Sequence, residues 1–158
     1  MAVIGAVLVY VNAGGLDDEL SARAQAVLEQ QAPADLELIS TLSGHDAPQT
    51  AGVLCVTEPF GTDPANPEKI EQVRVIYARY LCALVQKGMP WDYATRSTGP
   101  AVITLSDPPT VQLARSGAGY PERVRALFPD ELESEAFAGF NDRARPSNLL
   151  NRYVEAIS

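Results

Sequence analysis

Residues 52–88 constrain this chain more than any other stretch. The apolar run Val53-Leu54-Cys55-Val56-Thr57 has the length and composition of a buried strand. A polar, proline-bearing loop follows at 58–67 and carries Glu58, Phe60, Gly61, Asp63 and Asn66. Over 68–87 the residues Ile70, Val73, Ile76, Tyr77, Tyr80, Leu81, Leu84 and Val85 form a wide apolar stripe at helical spacing. Asn66-Pro67 suits a helix start, with Asn as N-cap and Pro at the first helical position, and Gly88 suits its C-terminal stop. The stretch therefore reads as strand, loop and helix.

The flanking sequence extends this pattern. Strands are expected at 3–11, 36–41 and 101–105. A helix is expected at 17–31, with Leu16, Leu20, Ala24, Val27 and Leu28 on one face and Asp17, Asp18 and Glu19 in its first turn. Beyond the last strand the pattern becomes helical, at 110–115, 121–127, 130–138 and 148–157. The expectation is one α/β domain over 1–158, with 110–158 a mainly helical C-terminal extension of it. Two layouts fit the order β-α-β-β-α-β. One is a Rossmann-like open, mainly parallel sheet with flanking helices and a helical C-terminal third. The other is a ferredoxin-like α+β sandwich with an antiparallel sheet. The link over 41–51 shows no helical pattern and is barely long enough for a parallel crossover, which favours the second layout. The near-continuous apolar runs of the strands suggest burial on both faces, as in parallel sheets, and tip the reading to the first.

Charge narrows the function classes. With twelve Lys and Arg scattered against twenty Asp and Glu, the net charge of −8 disfavours nucleic acid and anionic membranes as partners. No apolar run is long enough to span a bilayer. The apolar residues 1–10 lack a basic flank and read as a strand rather than a signal peptide, so a cytoplasmic protein is expected. Cys55 and Cys82 read as small, reduced core residues.

In an open parallel sheet the ligand sits beyond the C-terminal strand ends. That rule nominates Glu58 and Asp107, which directly follow strands, as catalytic carboxylates. It nominates Asn12, Phe60, Asp63 and Asn66 as ligand-binding residues. Ser43, His45, Asp46 and Ser106 stand at the same ends, and Asp17 and Asp18 follow the first strand. A crevice so rich in carboxylates suits a sugar, a nucleoside or a divalent cation better than a bare phosphate. No dinucleotide, Walker-type or nucleophile-elbow glycine motif occurs, and one His with two Cys in separate elements supplies no normal zinc ligand set. No cofactor and no metal is therefore expected.

The central stretch resembles the strand–loop–helix unit of nucleoside 2-deoxyribosyltransferase-like proteins. The matching residues are Thr57-Glu58-Pro59-Phe60-Gly61-Thr62-Asp63, then Asn66, Arg74, Tyr77-Ala78-Arg79-Tyr80, Gly88 and Pro90. They cover about a quarter of the chain. The resemblance implies a Rossmann-like fold and a nucleoside or nucleotide ligand. The family's second signature, an Asp and Gly followed by a nucleophilic Glu, has no counterpart after residues 101–105, where Pro108-Pro109 stands. Two expectations follow. The chain is a nucleoside- or nucleotide-binding protein acting on an N-glycosidic bond. Alternatively it is a non-enzymatic interaction or assembly protein, such as a viral structural or accessory subunit, with a homo-oligomer or a protein partner.

Overall fold

The computed structural model describes residues 15–35 and 52–158. Helix α1 spans Gly15–Asp35. Strands β1 (Val53–Asp63), β2 (Val75–Leu84), β3 (Arg96–Thr104) and β4 (Thr110–Leu113) follow. Helices α2 (Tyr120–Leu127), α3 (Glu133–Phe137) and α4 (Ala144–Ile157) close the chain. Short 3-10 turns stand at Ile70–Gln72, Trp91–Tyr93 and Asp130–Leu132. The expected strands at 3–11 and 36–41, together with Asn12, Ser43, His45 and Asp46, lie outside the described residues.

The strands form one sheet in the order β1-β2-β3-β4, and every neighbouring pair is antiparallel. This overturns the Rossmann-like, mainly parallel layout. The inference failed because burial on both faces does not require βα crossovers. Here α1 comes before the sheet in sequence and covers one face, while the C-terminal helices come after it and cover the other. The four-stranded meander does not establish the ferredoxin-like alternative either.

The expected helix at 68–87 is likewise corrected. Residues 70–72 form a single 3-10 turn, and β2 takes most of the remainder. Its apolar stripe satisfies both periods, because almost every side chain from Val75 to Leu84 is apolar. Ile76, Ala78, Tyr80, Cys82 and Leu84 join the core beneath α1. Val75, Tyr77, Leu81 and Ala83 join the cores beneath the C-terminal helices. A strand buried on both sides cannot be told from a buried helix by periodicity, and the β-branched and aromatic residues decide it. Asn66 sits in the left-handed region at φ 54 and belongs to a turn rather than an N-cap. Residues 110–113, expected helical, form the edge strand β4.

The core beneath α1 contains Leu20, Ala24, Val27 and Leu28 of the helix, so the helical reading of that segment holds. In the same layer Cys55 and Cys82 lie directly opposite each other and form a disulfide, both fully buried. The expectation of two reduced cysteines in separate elements is therefore corrected. It depended on placing Cys82 in a helix. On the other face Leu149 and Tyr153 of α4 pack against Val56 and Ala83, and the Tyr153 hydroxyl donates to Met89 O at 2.7 Å. Val124, Phe128 and Ala136 form a third cluster with Val102. Among the described residues no helix is long and apolar enough to cross a membrane.

The disulfide closes a loop with a sequence separation of 27. Chain-entropy reasoning assigns such a loop about 3.5 kcal/mol of stabilisation. The double variant Cys55→Ala, Cys82→Ala is expected to lose about that much in urea unfolding, with a lower midpoint and a steeper slope, because the unfolded chain without the cross-link is more expanded. An unchanged midpoint would show that the sheet does not rely on the bond.

Candidate functional site

Strand β1 organises the polar chemistry of the described residues. Its partner on one side is β2, and among the described residues no strand pairs with its other edge. In an antiparallel ladder, alternate residues turn their N–H and C=O away from the neighbour. Cys55 is such a residue, with its Cα only 4.1 Å from that of Cys82. Its outward N–H donates to Glu29 Oε1 of α1 at 2.9 Å. Its outward C=O accepts from Arg152 Nη1 of α4 at 2.9 Å. Thr57 is the next outward residue. Its C=O accepts from Ser21 Oγ at 2.9 Å and from Arg145 Nη1 at 2.7 Å. Side chains of two helices thus seal the first half of this edge.

Arg145 and Arg152 are themselves held by acids. Arg152 Nη2 lies 2.9 Å from Glu29 and Arg145 Nη2 lies 3.1 Å from Asp17. Arg145 Nε is buried without a hydrogen bond, with Asp142 at 3.5 Å and Glu58 at 3.9 Å.

Glu58 does not stand at a strand end, because β1 continues to Asp63. It points to the C-terminal face and pairs with Arg79, its opposite number on β2, at 2.8 Å. The side chains are 9% and 3% exposed. The carboxylate also accepts from the backbone N–H groups of Asn141 and Asp142, at 3.0 and 2.8 Å. Arg79 Nε donates to Ala138 O at 3.2 Å, and its Nη2 donates to Glu135 O and pairs with the Glu135 carboxylate. The guanidinium also stacks 5.0 Å from the Phe60 ring centroid. Every strong valence of Glu58 is thereby engaged in fixing residues 135–142 to the sheet.

The second half of the β1 edge faces an open groove of about 930 Å³. Leu16, Asp17 and Leu20 of α1 form one wall. Pro129, Glu131 and Leu132 form another, and the turn at 65–67 closes the end. The floor is β1 from Pro59 to Asp63, with Tyr77 of β2 beside it. The β1–β2 register shifts between Pro59 and Gly61, a bulge that sets Phe60 against Phe128 with ring centroids 5.8 Å apart. A Cβ at Gly61 would lie 2.5 Å from the Leu132 side chain, so a larger residue here would force that side chain to move.

Of the residues nominated from sequence, Phe60, Asp63 and Asn66 line this one groove. Glu58 is locked in its ion pair and Asp107 occupies the exposed turn between β3 and β4, so neither lines it. Asp63 pairs with Arg74 at 3.2 Å. Tyr77, Leu132 and Arg79 were not nominated. Reading 75–84 as a strand would have exposed Glu58 and Arg79 as opposite charges in two apolar runs. Among the described residues no three His, Cys, Asp or Glu side chains are gathered to hold a metal ion. Comparison with protein-family models, curated proteins and solved structures finds no match to this chain.

Two outcomes are expected. Glu58→Gln leaves the buried Arg79 with only the half-exposed Glu135 carboxylate as counter-charge and should cost roughly 3 kcal/mol in urea unfolding. Tyr77 has its phenol pKa raised above 10.0, by burial first and by the Asp63 carboxylate second. The folded state therefore holds this proton more tightly than the unfolded chain. The resulting stability is present below the unfolded value and is lost as pH rises through the folded one. Phenolate absorbance, taken as a difference against Tyr77→Phe, should titrate above the free tyrosine. Asp63→Asn should bring the midpoint only part of the way back.

Proposed function

We propose that this is a non-enzymatic interaction protein, whose groove along the second half of β1 takes a segment of another polypeptide. The observation that carries this reading is the groove itself. It is open, about 930 Å³ in volume, and walled by Leu16, Leu20, Phe60 and Leu132. Small-molecule sites enclose most of their ligand and converge a few polar groups on it. An open trench beside a stretch of strand that no other strand pairs among the described residues instead suits an extended chain, which gains main-chain hydrogen bonds and seats alternate side chains. The carboxylate best placed by sequence for catalysis, Glu58, has a structural use that accounts for all its contacts.

Ala65 is exposed and lines the groove, so Ala65→Trp fills the trench without disturbing the core. Selection of a displayed library of random-sequence peptides on the wild-type protein should enrich peptides that bind it and lose most of their affinity for Ala65→Trp. Purine and pyrimidine nucleosides at saturating concentration should leave the melting temperature unchanged. Enriched peptides indifferent to Ala65→Trp, or a clear thermal shift with one nucleoside, would overturn the reading.

A further inference from the structure

We infer that the segment taken by this groove is basic and extended, with Lys or Arg flanking an apolar anchor, and that it docks along β1 as an added strand; the inference rests on the interaction reading above. Charge is the first argument. The groove lining carries three carboxylates, Asp17, Asp63 and Glu131, and no Lys or Arg. Asp17 and Asp63 each face one arginine from outside the groove. Among the described residues Glu131 makes no ion pair. The net charge of −8 extends the same preference to long-range encounter.

Shape is the second argument. Leu16, Leu20, Phe60 and Leu132 line the same groove as Asp17, Asp63 and Glu131. An apolar side chain seated there leaves its neighbours in the segment beside the carboxylates.

The backbone is the third. The outward N–H and C=O of Cys55 and the outward C=O of Thr57 are taken by side chains, and Pro59 has no N–H to offer. Beyond the bulge Thr62 pairs with Ile76, a residue whose own polar groups face β3. The ladder alternation therefore turns the N–H and C=O of Thr62 into the groove. Among the described residues no strand takes them, so they offer an incoming strand one donor and one acceptor next to Asp63.

The peptides enriched by selection supply the test. They should share an apolar residue flanked by Lys or Arg. A synthetic copy with Glu at those basic positions should lose binding in fluorescence anisotropy. The double variant Asp17→Asn, Glu131→Gln should bind the basic peptide about tenfold more weakly, as should the wild type in raised salt. A copy N-methylated at the residue opposite Thr62 should bind more weakly than the parent. Groove-dependent peptides that lack basic residues, or that bind equally well to the neutralised variant, would overturn the charge assignment and leave the interaction reading standing. Unchanged binding after N-methylation at every position would overturn the added-strand geometry. Peptides unaffected by Ala65→Trp would instead remove the interaction reading itself.

Discussion

The pair between Glu58 and Arg79 is the contact on which the rest of the molecule depends. Two charges on adjacent strands, almost without exposure to water, are tolerable only if every remaining valence is met. The C-terminal residues meet them. The N–H groups of Asn141 and Asp142 complete Glu58, and the carbonyls of Glu135 and Ala138 complete Arg79. Desolvation thus becomes a positional constraint. These bonds fix residues 135–142 to the sheet, and α4 begins at Ala144, directly after them. From there α4 lays Leu149 and Tyr153 on the sheet and carries Arg145 and Arg152 to the edge of β1.

The same constraint separates structure from recognition along a single strand. Up to Glu58, β1 is consumed by its own protein, through the disulfide, the sealed edge and the ion pair. After Pro59 the bulge changes the register, α1 has reached its N-terminal end, and the walls diverge into the groove. The boundary between the two regimes is one residue wide. Conformational specificity is concentrated on one side of it and accessible surface on the other.

Much of this was legible from residues alone, and the failures have a common cause. Residues 53–57 as a strand, α1 and its buried face, the helical end of the chain and the importance of the loop after residue 57 all follow from pattern and turn chemistry. Phe60, Asp63 and Asn66 were picked out together and do share one groove. The error at 75–84 propagated furthest. Because nearly all of those side chains are apolar, the stretch satisfies the helical and the extended period at once. Taking it as a helix separated Cys82 from Cys55 and Arg79 from Glu58. The pairing Glu58↔Arg79 is a tertiary fact carried by register, and no local signal announces register.

The seal on β1 has a consequence for the order in which the chain is made. Cys55 and Thr57 are synthesised long before Arg145 and Arg152, the side chains that occupy their outward carbonyls. A ribosome delivers the sheet first and its edge guard last, so a nascent chain passes through a stage in which this edge lacks those two arginines. Glu29 and Ser21 of α1, which hold the Cys55 N–H and the Thr57 C=O in the folded protein, are already synthesised by then. The contacts of α1 with this edge thus come from residues made before the strand, and those of α4 from residues made after the whole sheet.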